Sequence, residues 1–128
     1  MPFDDGAFGA VVSWLVLNFV PDSALGLSEM RRVLRPGGTV AAYVWDYAGH
    51  VQMLRYCWDA ALAADPVARD LDEGRRFQIC QPRPLRSVFE TARLTQVQVR
   101  AIDIATDFVD FVDCWSPVLG SSGASAKL

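Results

Sequence analysis

The stretch RRVLRPGGTVAAYVWD, residues 31–46, joins the end of a helix to a strand and restricts the fold more than any other segment. Pro36 predicts the end of the helix, because proline has no amide hydrogen to donate. Gly37 and Gly38 permit the positive backbone angles that turn the chain back. The apolar residues TVAAYVW then predict a buried strand that ends at Asp46.

A second apolar run precedes the helix. Residues 8–17, FGAVVSWLVL, show no polar alternation, which is typical of a parallel strand covered on both faces. Pro21 ends that strand, and Asp22 or Ser23 can cap a helix over residues 23–34. The apolar positions of this helix recur at helical spacing: Leu27, Met30 and Leu34. The whole is a β-α-β unit, in which the two strands run parallel and the crossover is right-handed.

Weaker patterns follow this unit. The sequence predicts an amphipathic helix at 51–64, an irregular polar loop or lid at 65–81, a helix at 84–94, an edge strand with one wet face at 95–103 and a short helix at 108–119. The fold class is therefore α/β, with one domain over residues 1–116 and a disordered tail over 117–128.

Composition excludes several classes of protein. The 128 residues are 52% hydrophobic and carry a net charge of -3, which indicates a soluble globular chain with no electrostatic reason to bind nucleic acid. Arg31, Arg32 and Arg35 lie together, but a solvated helix end accounts for them. The longest apolar run is too short to cross a bilayer, so we expect no membrane partner.

The cysteines and the first residues indicate a cytoplasmic protein. Cys57, Cys80 and Cys114 are odd in number and far apart, and with a single histidine they predict neither disulfides nor a metal site. The opening MPFDDGAF has no basic region followed by an apolar one, so it is no secretory signal. Arginine far outnumbers lysine, which suggests a bacterial source.

Three ordered motifs resemble a known family. They are PFDDGAFGAVVSWLVLNFVPD, LSEMRRVLRPGGTVAAYVWD and FETARLTQVQVRAI. Together they resemble the second half of a class I S-adenosylmethionine-dependent methyltransferase of the ubiquinone/menaquinone-biosynthesis type. The resemblance implies strands 4, 5 and 6 of a partial Rossmann-like sheet with flanking helices and a lid-like insertion, and it implies S-adenosylmethionine as the cofactor.

The resemblance also implies site residues. Ligands of open α/β sheets bind beyond the carboxyl ends of the strands. Ser13, Trp14 and Leu15 would border the methionine moiety of the cofactor, and Asn18 would face the pocket. Core packing is the alternative for Trp14 and Leu15.

The substrate side of the site follows the next strand. Trp45, Asp46 and Tyr47 stand where they could contact a small-molecule acceptor, and core packing is the alternative for Trp45. Asp46 would be a general base if desolvated and a plain loop carboxylate if solvated. His50 is either a titrating group near the site or a bystander on the surface. The reaction does not require a base, because holding the acceptor in line with the methyl group can suffice. No catalytic residue is assigned.

The sequence also departs from the family pattern. We expect no counterpart of the glycine-rich loop that follows the family's first strand, because the stretch GAFG, residues 6–9, leads into a strand, whereas that loop follows a strand and opens a helix. The family's last antiparallel strand is also missing. The first strand of this chain would then have an unpaired apolar edge, and such edges aggregate or recruit a partner. We therefore expect a half-domain, which is either a truncated product or a chain that needs a second chain, or a second copy, to complete its sheet.

Two functions remain open at this point. The chain is part of a methyltransferase for a small-molecule acceptor and is inactive alone, or it is a non-catalytic methyltransferase remnant that acts as an oligomerising or interaction module. The acceptor cannot be read from the residues, and a quinone-like or lipid-derived acceptor is what the family suggests.

Overall fold

The computed structural model describes residues 1–119. Its elements are strand β1 Phe8–Trp14, a 3-10 helix Leu17–Phe19, helix α1 Ser23–Arg32, strand β2 Leu34–Tyr43, helix α2 Gln52–Ala64, a 3-10 helix Pro66–Asp70, helix α3 Glu73–Arg76, a 3-10 helix Gln78–Cys80, helix α4 Pro82–Thr91 and helix α5 Phe111–Leu119. The α/β class is confirmed. Of the tail predicted at 117–128, residues 117–119 end α5, and residues 120–128 lie outside the described part.

The chain divides into two compact units. The first unit contains Met1–Trp45 and Ile79–Arg100, and the second contains Asp46–Gln78 and the residues from Ala101 onward. The sheet and the helices α1 and α4 belong to the first unit, while α2, α3 and α5 belong to the second. None of the helices within residues 1–119 combines the length and the apolar character that crossing a bilayer requires.

Strands β1 and β2 pair in parallel, as the β-α-β prediction requires. Phe8 is opposite Leu34 and Ala10 is opposite Thr39, so two steps along β1 correspond to five along β2. The intervening residues 35–38 form a bulge inside β2 rather than a loop before it. Gly37 has a φ of +77°, as predicted for this turn. Gly38 serves a different purpose, because a Cβ there would lie 2.8 Å from the carbonyl oxygen of Gly9.

Helix α1 packs its apolar face into the first unit. Asp22 caps the helix by accepting a 2.8 Å hydrogen bond from the amide of Leu25, which contributes about 1 kcal/mol. Leu27 and Met30 are buried on the inner face of the helix. The helix ends at Arg32, before the predicted end at 34, because Leu34 already pairs with β1.

The core of the first unit lies on one face of the two-stranded sheet. Its buried members are Leu17, Leu27, Met30, Leu85 and Ala92, and the half-buried side chains packed against them include Val11, Val40, Ala42 and Val44. The opposite face of the sheet is exposed, since Val12 and Trp14 of β1 are 51% and 67% accessible. The expectation that β1 is covered on both faces is therefore wrong for the described residues, because α1 and α4 contribute to the core on one face alone.

The strand predicted at residues 95–103 does not form. Within residues 1–119 the sheet consists of β1 and β2 alone. The alternation holds over residues 97–100, where Val97 and Val99 are half-buried and Gln98 and Arg100 are exposed, but it fails beyond them, where Ile102 is 71% exposed. A strand also needs backbone groups that are free to pair with a neighbouring strand. Here the guanidinium of Arg86 donates to the carbonyl of Val97, so this carbonyl is already paired.

The motif PFDDGAF lies against the end of α1. Arg32 donates to the Phe3 carbonyl at 2.9 Å, to the Asp5 carboxylate at 2.6 Å and, through Nε, to Glu29 at 2.9 Å. Gly6, with a φ of +68°, donates its amide to the carbonyl of Arg32 at 3.0 Å. Parts of two of the three motifs that carry the family resemblance, the first and the second, therefore form one structural clamp, and this clamp stands at the amino end of β1.

The clamp predicts a pH dependence of stability. The hydrogen bond from Arg32 lowers the pKa of Glu29 from its ordinary value of 4.5 to about 2. The carboxylate therefore stabilises the fold fully above pH 4.5, and this contribution is lost as the pH falls through about 2. We expect the wild-type chain to lose more stability than Glu29→Gln over this interval, measured by urea unfolding at about pH 5, 4 and 3.

Glu90→Gln is the matched control. Its carboxylate lies 3.8 Å from Arg86 across one turn of α4 and is largely exposed, so its removal should leave the pH dependence close to that of the wild type. Parallel wild-type and Glu29→Gln curves would contradict the assignment of this linkage to the clamp.

Candidate cofactor site at the strand ends

The carboxyl ends of β1 and β2 lie side by side in the first unit. β1 ends at Trp14 and β2 at Tyr43, and these two residues are paired in register. The amide of Leu15 extends the ladder by donating to the Tyr43 carbonyl at 3.0 Å. This edge of a parallel sheet is where open α/β proteins bind ligands.

Leu15 turns the chain away from the sheet. Its φ is +53°, a left-handed conformation that costs a residue with a β-carbon about 1–3 kcal/mol. The 3-10 helix Leu17–Phe19 follows at once and places Leu17 in the core, where it is 2% exposed. Strained backbone of this kind is concentrated at functional sites, so Leu15 marks this strand end as a candidate.

Ser13 and Trp14 lie on opposite faces of the sheet. The exposure pattern of β1 alternates, and Ser13 shares the covered face with Val11. Trp14 lies on the open face and stacks on Tyr43, with ring centroids 6.3 Å apart and an interplanar angle of 28°. Trp45 is half exposed and follows β2 by two residues. The structure therefore groups Trp14 with Tyr43 on one face and leaves Ser13 on the other.

Asn18 is the most unusual polar residue of this edge. It is 9% exposed, and among the described residues neither its Nδ2 nor its Oδ1 has a hydrogen-bond partner. A buried polar group without a partner costs about 1–3 kcal/mol. The sequence prediction named this residue, but its burial without partners is visible only in the structure.

The carboxylate of Asp46, in the second unit, accepts hydrogen bonds from amides of its own loop. Its Oδ1 accepts from the amide of Gly49 at 3.1 Å and its Oδ2 accepts from the amide of His50 at 3.2 Å. A Cβ on Gly49 would lie 2.6 Å from Oδ2, so the turn requires glycine there. This arrangement favours a structural carboxylate over a general base.

The other residues predicted near the acceptor are placed as follows. His50 is 71% exposed, and its Nδ1 lies 3.7 Å from the carboxylate of Asp103, which supports the surface interpretation. Tyr47 is buried in the second unit, and its ring lies 5.6 Å from that of Phe77. A Cβ on Gly74 would come within 3.0 Å of the Tyr47 carbonyl, so α3 packs closely on this loop.

Residues 65–81, which the sequence predicted to be a polar loop or lid, include two buried acidic residues. Asp72 is 2% exposed and Glu73 is 8% exposed. Arg55 donates through both terminal nitrogens to Asp72, and the indole of Trp58 donates to Glu73 at 2.6 Å. Burial raises the pKa of Asp72, but the hydrogen bonds from Arg55 and Gly74 outweigh it and leave that pKa below its ordinary value. The sequence feature that could have indicated this helix cap is Asp72, an acidic residue just before a short helix, with Gly74 two residues later.

The Arg55–Asp72 pair yields a stability prediction. Arg55→Met should destabilise the chain by about 3 kcal/mol, because the Asp72 charge is left buried without its main partner. The double variant Arg55→Met/Asp72→Asn should recover most of this loss, since asparagine can still accept from the amide of Gly74. Urea unfolding measures both. Equal losses in the single and the double variant would show that the buried charge is not the cause.

The fold defines an α/β protein, and the ends of its two parallel strands are the candidate ligand site. Residues 1–42 match the family described as "Methyltransferase domain". A demethylmenaquinone methyltransferase of Staphylococcus aureus is 27% identical over 111 residues, which cover 79% of this chain and 46% of the relative. The resemblance to class I S-adenosylmethionine-dependent methyltransferases of the menaquinone-biosynthesis type is therefore confirmed over part of the chain.

Two further relatives match shorter stretches of the chain. A demethylmenaquinone methyltransferase of Mycolicibacterium gilvum is 55% identical over 38 residues, 30% of this chain and 17% of the relative. An uncharacterized protein of Mycobacterium tuberculosis is 39% identical over 49 residues, 38% of this chain and 18% of the relative. The chain thus spans less than half the length of these curated relatives. No solved structure gives a significant match.

Proposed function

We propose that this chain supplies one wall of the cofactor site of an S-adenosylmethionine-dependent methyltransferase that acts on a small-molecule acceptor. The observation that carries the proposal is the unpaired carboxamide of Asn18 at the carboxyl end of β1, in a segment that matches the methyltransferase family. Leu15, with its left-handed backbone, and Ser13, on the covered face, complete the proposed contacts with the cofactor.

The bound cofactor would supply an electrophilic methyl group on a sulfonium centre. The chain then has to bind and orient the acceptor and to exclude water from the site, since in-line placement of the acceptor provides much of the rate. Trp14, Tyr43 and Trp45 form an aromatic surface at the same strand ends, which suits an apolar ring. A quinone-like acceptor, of the kind named for the demethylmenaquinone methyltransferases, is the proposed substrate class.

We also propose that the chain does not transfer methyl groups alone and that it works in the cytoplasm. Of its glycines near β1, Gly6 precedes the strand and Gly9 lies within it, whereas a cofactor loop follows a strand and opens a helix. Asp46 is held by its own turn, and Tyr47 is buried, so their proposed contact with the acceptor would require the loop to rearrange. Within residues 1–119, no group of histidine, cysteine and carboxylate residues is arranged to hold a metal ion.

Binding of the cofactor product tests the proposal. S-adenosylhomocysteine should raise the melting temperature of the chain in proportion to the logarithm of its concentration once it exceeds the dissociation constant. ATP, which also carries adenosine, is the control ligand and should give no comparable rise. An equal response to ATP, or no response to millimolar S-adenosylhomocysteine, would contradict cofactor binding at this edge.

The alternative function, an interaction module, is favoured by the open face of the sheet. Exposed apolar side chains cover that face at Val12, Trp14, Tyr43 and Trp45, and the second edge of β1 has no neighbour within residues 1–119. Exposed apolar edges and faces of this kind recruit partners. A second copy of the chain is the occupant that can be tested without further components.

Light scattering distinguishes the two functions. If the open face is an oligomerisation surface, the wild-type chain should be dimeric or larger and Trp14→Thr should shift its mass toward the monomer. Tyr56→Gln is the control, because Tyr56 is equally exposed at 70% but lies on α2 in the second unit. A monomeric wild-type chain that responds to S-adenosylhomocysteine would exclude self-association through this face and support the methyltransferase.

A further inference from the structure

Residues 101–119, here called the acidic segment, combine exposed apolar side chains with negative charge. They belong to the second unit and end in α5. Six large apolar side chains of this segment are between 69% and 92% exposed: Ile102, Ile104, Val109, Phe111, Val112 and Leu119. The four acidic residues are exposed as well, and no lysine or arginine lies among them: Asp103, Asp107, Asp110 and Asp113. Exposed apolar side chains that are concentrated in one segment mark a surface for association.

The carboxylates of this segment can accept further hydrogen bonds. Asp113 accepts from the amide of Val109 at 3.1 Å, and Asp110 accepts from the amide of Asp113 at 2.9 Å. Asp103 lies 3.7 Å from the imidazole of His50. Each contact involves one carboxylate oxygen, whereas an ionised carboxylate can accept about four hydrogen bonds. Within residues 1–119, no arginine forms an ion pair with any of the four aspartates.

The aromatic side chains of α5 indicate which cation fits this surface. The rings of Phe111 and Trp115 stack, with centroids 5.9 Å apart and an interplanar angle of 15°, and Phe111 is exposed. A guanidinium group stacks on aromatic rings and binds carboxylates through two parallel hydrogen bonds, which an ammonium group cannot do. The aliphatic stem of arginine also covers apolar side chains. The segment therefore fits a partner surface rich in arginine.

The chain itself carries such a surface. Residues 82–100, here called the basic segment, belong to the first unit and comprise α4 and the residues that follow it. Their single acidic residue is Glu90, and their four basic residues are all exposed arginines: Arg83, Arg86, Arg93 and Arg100. Four arginines and one glutamate give this segment a net charge of +3, whereas four aspartates give the acidic segment a net charge of -4. The two segments are complementary in charge.

We propose that the acidic segment of one copy of this chain binds the basic segment of a second copy. A two-fold dimer makes this contact twice, because each copy offers both segments. The inference goes beyond the proposed function, since it involves neither the strand ends nor the open face of the sheet.

Sedimentation velocity at several protein concentrations tests the proposal. The chain should form dimers at about 20 mM NaCl, and at about 0.5 M NaCl the dissociation constant of the dimer should rise about tenfold or more, because salt screens exposed charges. Trp14→Thr should leave the dimer intact, since it alters the open face alone. A chain that stays monomeric at low salt, a dimer that does not respond to salt, or a dimer that Trp14→Thr dissociates would overturn the proposal.

Two variants with reversed charges test which surfaces meet. Asp103→Lys/Asp107→Lys reverses charge in the acidic segment without removing the hydrogen bonds at the start of α5. Arg83→Glu/Arg100→Glu reverses charge in the basic segment. Each variant alone should be monomeric at low salt, because like charges then face each other. Their equimolar mixture should form a heterodimer, in which lysine faces glutamate and arginine faces aspartate. A mixture that remains monomeric would overturn the proposal.

Asp59→Lys/Asp70→Lys is the matched control. Both residues are exposed in the second unit but lie outside the acidic segment, and the change in net charge is the same. This variant should remain dimeric at low salt. If it dissociates the dimer as fully as Asp103→Lys/Asp107→Lys does, net charge rather than the acidic segment governs association, and the proposal is overturned.

Discussion

The parallel pairing of β1 with β2 is the constraint on which the first unit depends. It requires a crossover, which α1 supplies, and it brings two carboxyl strand ends to one edge. Arg32 secures the amino end by joining α1 to Phe3, Asp5 and Glu29. Residues 35–38 then bulge outward so that β2 can remain in register beyond Thr39. Charge and hydrogen bonds thus hold the amino end of the pair, and the carboxyl end is the candidate site.

The two faces of the sheet differ in burial. One face is stabilised by burial of the core around Leu27 and Met30, while the other exposes Trp14 beside Tyr43. An aromatic surface of this kind suits either an apolar acceptor or a second protein surface, which is why two functions are proposed for one structure. Asn18 separates them, because an unpaired carboxamide serves a polar ligand and adds nothing to an apolar contact.

Much of the fold was predictable from local signals. Asp22 and Gly37 were predicted correctly, because each acts through its own backbone chemistry. The strand predicted at 8–17 ends instead at Trp14, well before Pro21, which was expected to end it. The strand at 95–103 was predicted wrongly, since alternation of apolar and polar residues reports which side is buried but not whether a neighbouring strand exists. The burial of Asp72 and the isolation of Asn18 depend on residues far apart in the chain, so no local pattern could reveal them.

The location of bound S-adenosylhomocysteine tests the central claim most directly. Intermolecular nuclear Overhauser effects between the ligand and the chain labelled at its methyl groups would locate it without reference to stability. We predict contacts to Leu15 and Leu17, which directly follow the carboxyl end of β1, and none to Val67, which is 76% exposed in the second unit. Contacts confined to the second unit, or contacts spread over exposed side chains in general, would contradict a cofactor site at the strand ends.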